Sequence, residues 1–252
     1  MNNIIKTGFL LINKPVGMSS YGCIGHIKRV LFHSGFDGQQ VRQKIKIGHA
    51  GTLDPFANGL LIVALGREAT RHLSRIMLME KTYVATGKYG ELTDTLDCTG
   101  TVVAITDIIP SELSTQHALD TFGSFYEQIP PLYSALKYQG KPLYALVRNK
   151  IMDTQQLEEI AHNKRRIIQL YDKKLVSYEA PFSTIQVRVS SGTYVRTLIN
   201  DIAIRAGSCA TTYQLARIAI GPFNLDRAID ISFLTTIDDV NSHIIPIDLF
   251  FF

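Results

Sequence analysis

Residues 48 to 59 of this 252-residue chain read GHAGTLDPFANG and run into the apolar stretch LLIVALG. One carboxylate, Asp54, stands among turn formers, and Pro55 behind it biases the aspartate towards an extended or turn conformation. Asn58 and Gly59 then turn the chain into the 60–65 run. A side chain presented this way, on a constrained loop backed by a buried strand, has the orientation that nucleophilic chemistry requires. Asp-Pro is also an ordinary turn opener, so the spacing alone leaves a purely structural loop open. The stretch fits neither G-x-x-x-x-G-K-[ST] nor G-x-G-x-x-G, the patterns that gather backbone N–H groups around phosphate. It contains no G-x-S-x-G elbow.

Two further stretches carry groups able to serve a ligand. SSGTYVRTLIND (190–201) joins a predicted strand to a predicted helix, with Tyr194 placed to stack on a planar ligand and Arg196 to pair with a distant aspartate. The competing reading is a tyrosine packed on the core and a surface arginine at a helix start. KTYVATGKYGELTDTLDCTG (81–100) sets Tyr83 beside Val84 on a strand, so one of the two faces the core. Asp94 and Asp97 read as turn and cap residues, because a calcium loop needs more oxygen ligands at regular spacing.

The elements that must position these groups follow from periodicity. Ser19 or Ser20 caps a helix with Ile24, Ile27, Val30 and Leu31 on one face. Strands are predicted over 60–65, 82–86, 101–105 and 183–189, the last with Ile185, Val187 and Val189 inward. Helices are predicted over 68–78, 111–122, 154–163 and 194–206, the last closed by Gly207. Strand-rich segments with unevenly spaced helices predict an α+β fold on a mixed sheet rather than regular βαβ winding. No repeat or low-complexity linker is visible, and GPF at 221–223 is the one boundary candidate.

Composition bounds the classes. At 46% hydrophobic the chain can bury a core as one large domain, with or without a small appendage. Cys23, Cys98 and Cys209 are far apart and form no CxxC pair, which argues against a zinc site or a disulfide framework. No apolar run approaches membrane-spanning length, so a soluble protein of a reducing compartment is expected. Net charge is +4, but residues 1–50 hold seven Lys/Arg against one acid, whereas 201–252 hold three against six. The basic segment RQKIKIGH, with Arg42, Lys44 and Lys46, is suited to a phosphate backbone; a solvated loop face is the alternative.

Taken in order, the motifs resemble the tRNA pseudouridine synthase B (TruB) family. GFLLINKPVGMSS (8–20) is similar to its Lys-Pro opening, and GHAGTLDPFANGLL (48–61) to its catalytic motif. The 81–100 stretch resembles its tyrosine strand and T-D-T turn, and PPLYSALKYQGKPLYALVR (130–148) its P-P-x-Y-S-A-x-K-x-x-G segment. SSGTYVRTLINDI and QLARIAIGPF match two late motifs, so the resemblance spans residues 8 to 223.

The resemblance implies the pseudouridine synthase catalytic fold, α+β with a mostly antiparallel sheet flanked by helices and loops, over residues 1–232. It implies isomerisation of uridine to pseudouridine at position 55 in the T loop of tRNA, with the base flipped out of the loop. Asp54 would be the nucleophile. His49, Tyr83, Tyr194, Arg196 and Leu215 would bind substrate, Tyr83 by stacking on the base and Arg196 by pairing with Asp54 and keeping it ionised. Lys14 and Pro15 would support the floor of the site, Lys14 as a prop. The chemistry needs no cofactor and no metal, and the tRNA T stem-loop is the implied partner; no obligate protein partner and no membrane are expected, and the location is cytoplasmic.

The sequence departs from the family pattern at Ala50, Phe56 and Asn58, none of which removes the nucleophile. Where the family has LRR, this chain has LAR, so Ala216 lacks one RNA contact while Arg217 is expected to keep the other. The 33–46 segment is longer than expected and carries added cations. Residues 233–252 read as a short remnant in place of an RNA-binding C-terminal module. A non-catalytic tRNA-binding or RNA-folding protein on the same scaffold is the alternative function. Retention of Asp54 with Tyr83 and Arg196 favours the enzyme, because binding alone needs no carboxylate beside RNA phosphates.

Overall fold

The computed structural model describes residues 5–35 and 45–250. Arg42 and Lys44 of the basic segment lie outside them. The chain forms two compact units, Met1–Thr82 with Ala216–Phe252, and Tyr83–Leu215. The fold is mixed α+β on a mostly antiparallel sheet.

In the first unit the strand Asn58–Leu65 is central. It runs antiparallel to Gly8–Lys14 along its whole length, from Gly8 opposite Leu65 to Lys14 opposite Gly59. Gly8–Lys14 pairs on its other edge, parallel, with Ile229–Asp230. Both faces of these strands are covered, which is why they read as continuous apolar runs rather than as alternation. Leu10, Ile12, Leu61 and Val63 pack against Ile27 and Leu31 of the helix Ser20–His33. Phe9, Leu11, Leu60 and Ile62 pack on the opposite side with Ile76 and Phe250.

The C-terminal residues are part of this core. Leu234, Ile237, Val240 and Ile244 join the first cluster. Phe250 stacks against both Phe9 and Phe223, each at 4.0 Å between ring centroids. Gly221 is the turn of a hairpin that sets Ile220 opposite Phe223.

Helix Ser20–His33 is capped by Ser19, whose hydroxyl accepts from the Gly22 N–H. The helix expected over 68–78 is instead two short helices, Arg67–Thr70 and Leu73–Leu78. The Thr70 hydroxyl donates back to the Arg67 carbonyl, and such back-bonding competes with helix propagation.

In the second unit the strand order is Ala210–Ile220, Lys81–Tyr89, Phe182–Val189, Arg166–Glu179 and Phe125–Gln128, the first two reaching across the unit boundary in sequence. Lys81–Tyr89 and Phe182–Val189 alternate buried and half-buried residues, with Ile185, Val187 and Val189 inward. Helices Glu112–Asp120, Thr154–Asn163 and Val195–Arg205 accompany them. The Lys173 ammonium donates to the carbonyls of Leu119, Asp120 and Phe122 at the C-terminal end of Glu112–Asp120, where a cation suits the helix dipole. Among the described residues no helix is long and apolar enough to cross a membrane.

Candidate active site

The loop that carries Asp54 exists because two chain segments share one edge of the strand Asn58–Leu65. Ile47–Ala50 pairs antiparallel with its far end, from Ile47 opposite Leu65 to Ala50 opposite Ile62, and then leaves the sheet. Residues 51–57 form the excursion before the chain returns as the central strand. Ala216 and Arg217 occupy the vacated edge, parallel to Asn58 and Gly59. At Gly59, φ is +105° and a Cβ would lie 2.3 Å from the Arg217 carbonyl oxygen, so only glycine fits the return.

Arg217 ties the two sides of the excursion together. Its Nε donates to the Leu60 carbonyl at 2.8 Å and Nη2 to the Gly51 carbonyl at 3.0 Å. The side chain is 1% exposed, so the expectation of an RNA contact at Arg217 is corrected: its fork of donors is spent on backbone that the loop leaves unpaired.

Other bonds hold the loop from the opposite side. Ser20 Oγ accepts from the Leu53 N–H at 2.8 Å and donates to the Leu53 carbonyl at 3.0 Å. The Gly17 N–H donates to the Pro55 carbonyl at 2.7 Å, and the Ala57 N–H closes the turn on the Asp54 carbonyl at 3.2 Å. Lys14, fully buried, donates to the carbonyls of Met18 at 2.6 Å and Pro15 at 2.9 Å, and reaches that of Pro55 at 3.5 Å. Leu53 and Phe56 are buried on either side of half-buried Asp54. The larger Phe56 is therefore accommodated as an apolar peg.

The surroundings of this loop are cationic. Burial pushes the Lys14 ammonium below its ordinary pKa, while the charges of Cys23 and Asp54 oppose that shift. Burial and, after it, the Arg217 charge lower Lys81 to about 8. The Lys81 ammonium donates to the carbonyls of Met77 and Met79. His49 lies on the strand leading into the loop, and burial followed by the Arg217 charge lowers its pKa, which favours a neutral imidazole. Its Nδ1 is buried without a hydrogen-bond partner among the described residues.

The remaining expected site residues belong to the second unit. Tyr83, not Val84, is the inward-facing residue of its strand, 8% exposed. Leu215 is buried on the neighbouring strand Ala210–Ile220. Tyr194 is the N-cap of the helix Val195–Arg205 and is half-buried. Arg196 is 4% exposed, so it is no surface arginine. A cation in the first turn opposes the helix dipole. Asp97 offsets it at 3.2 Å, together with the carbonyls of Thr95 and of Tyr133, the latter at 2.8 Å.

Asp94 and Asp97 fold the 93–101 turn. Asp97 Oδ1 accepts from the Thr99 N–H at 3.0 Å and the Thr95 hydroxyl at 2.9 Å, and Asp94 Oδ1 accepts from the Thr101 N–H at 2.8 Å. Among the described residues, no group of three or more His, Cys, Asp and Glu is placed to hold a metal ion.

Asp54 and His49 thus lie on one framework, and Tyr83, Tyr194, Arg196 and Leu215 on the other. Sequence reading missed Gln128 and Lys81, both buried polar residues tied to backbone carbonyls. Lys81, a lysine at an inward-facing position of a strand whose residues alternate buried and half-buried, was the available signal; Gln128 offered none.

Comparison with known proteins identifies the family. Residues 39–195 match the family model described as TruB family pseudouridylate synthase (N terminal domain). The chain is 38% identical to tRNA pseudouridine synthase B of Bordetella avium, over 96% of this chain and 92% of the relative. It is 40% identical to tRNA pseudouridine synthase B of Syntrophotalea carbinolica, over 88% of this chain and 66% of that one. Among solved structures, a Cbf5-Nop10-Gar1 complex aligns with a TM-score of 0.64 at 26% identity over 90% of this chain, which spans about half of that protein. A pinned aspartate loop on this sheet, in a sequence matched over nearly its full length, leads to one assignment: the chain belongs to the TruB family of pseudouridylate synthases.

Proposed function

We propose that this protein isomerises uridine to pseudouridine in tRNA, at position 55 in the T loop, with Asp54 as nucleophile and the target base flipped out of the loop. The observation that carries the reading is the Asp54 loop. Ser20, Gly17, Lys14 and Arg217 spend their donors on its backbone and fix the course of the loop. Such a loop presents a carboxylate in one orientation, which is what attack on a held nucleotide demands.

The reaction breaks the C1′–N1 bond, turns the base and joins C5 to C1′. The hydrogen on C5 leaves and N1 gains one, so atoms balance without a redox partner. Tyr83 is assigned to stack on the base and Leu215 to wall the pocket, so that the detached uracil is retained. Tyr194 completes that wall. Arg196 is assigned to the Asp54 carboxylate, and neutral His49 to the substrate loop. Lys14, Lys81 and Arg217 set cations around the Asp54 loop, which suits it to an anionic RNA backbone. The substrate pool is cytoplasmic tRNA.

Chemical mapping of pseudouridine by primer extension on an unmodified tRNA transcript tests the assignment. A single stop marking position 55, lost when that uridine is replaced by cytidine, is expected; modification confined to another uridine would refute the position.

A further inference from the structure

We propose that Gln128 is a positioning residue for Tyr194, acting by gripping its backbone as one peptide grips another in a sheet. The inference rests on the reading above, in which Tyr194 walls the substrate pocket. The Tyr194 N–H donates to Gln128 Oε1 at 2.8 Å, and Gln128 Nε2 donates to the Tyr194 carbonyl at 3.0 Å. Gln128 is 1% exposed, so water does not compete for either bond.

The grip stands where a helix cap is missing. Tyr194 is the N-cap of Val195–Arg205, yet no side chain caps that helix from the N-cap position. A start without such a cap lacks the side-chain acceptor that usually anchors the first turn. The reciprocal pair with Gln128 fixes both sides of Tyr194 instead.

The amide has one orientation. Exchanging its oxygen and nitrogen would face donor with donor and acceptor with acceptor at Tyr194. The second hydrogen on Nε2 goes to the Tyr126 hydroxyl, which donates in turn to the carboxylate of Asp201 on the helix Val195–Arg205. Arg166, the register partner of Gln128 on the adjoining strand, covers the Tyr194 ring at 5.0 Å. Two neighbouring strand residues thus hold one tyrosine, Gln128 by its backbone and Arg166 by its ring.

The test is a double-mutant cycle in single-turnover pseudouridine formation at saturating tRNA, using Gln128→Met, Tyr194→Ala and both together. Methionine keeps the volume and removes both bonds. Gln128→Met is expected to slow the rate by ~10-fold or more with tRNA affinity little changed, as misplacement of a site residue does. In the Tyr194→Ala background the same substitution should cost almost nothing, because the residue it positions has gone. A merely structural role predicts the same loss in both backgrounds, and that additivity would overturn the inference. A normal rate in Tyr194→Ala beside a slow Gln128→Met would overturn it together with the role of Tyr194. An inactive wild type would bring down the enzymatic reading itself.

Discussion

Arg217 Nη2 lies 3.0 Å from the Gly51 carbonyl oxygen, so a buried guanidinium closes the base of the excursion on which Asp54 rides. The same group bonds Leu60 on the returning strand. Replacing Arg217 by Met leaves the buried Leu60 carbonyl and the half-buried Gly51 carbonyl without this donor and should destabilise the fold by about 1–3 kcal/mol, read from urea midpoints. Arg217→Lys keeps the charge but cannot bridge both carbonyls, and should also slow turnover. An unchanged midpoint in both variants would show that the loop does not depend on this bridge.

Lys81 makes a prediction in alkaline pH. Its folded pKa of about 8 lies below the ordinary 10.5, so over that interval the unfolded chain holds more protons than the folded one. Stability should therefore rise from about pH 8 to pH 10.5, by at most about 3 kcal/mol from this group. Denaturant titrations of wild type and Lys81→Met at the two pH values check it: the rise should shrink in the variant.

Asp201 makes the opposite one in acid. Burial raises its carboxyl to about 6 from 3.8, while Arg205 and the Tyr126 hydroxyl pull it down. The folded state keeps this proton to higher pH, so its contribution is fully present below 3.8 and lost as pH climbs through about 6. The change is at most about 2–3 kcal/mol, less what solvent screening removes. In Asp201→Asn the loss between pH 4 and pH 7 should diminish.

Asp97 is the counter-ion of a buried arginine. Asp97→Asn keeps the shape but leaves Arg196 without that charge, at a cost of about 3–5 kcal/mol if the pair behaves as buried pairs do. Thermal unfolding would register the loss, and an unshifted melting temperature would count against the pairing.

Much of this was legible in the sequence, for identifiable reasons. The 183–189 strand was visible because Ile185, Val187 and Val189 alternate with polar residues, and the first helix because its apolar spacing and its serine cap agree. The strand Arg166–Glu179 was missed, since register shifts at Leu170/Asp172 and Leu175/Ser177 break its alternation. Asp54 stood out through Pro55 and the turn residues around it. What holds Asp54 did not, because Arg217 meets Gly51 across more than 160 positions of chain and its residue type suggested RNA. Gln128 was equally silent: a lone glutamine carries no local pattern, and its partner is the backbone of Tyr194.

The central claim is that Asp54 makes pseudouridine. Tritium release from a tRNA transcript labelled at uridine C5 tests it most directly, because C5 loses its hydrogen only on becoming the glycosidic carbon. Release by wild type and none by a folded, tRNA-binding Asp54→Asn is the predicted result. Equal release by both proteins would contradict the role of Asp54, and none from either, with tRNA bound, would contradict the activity.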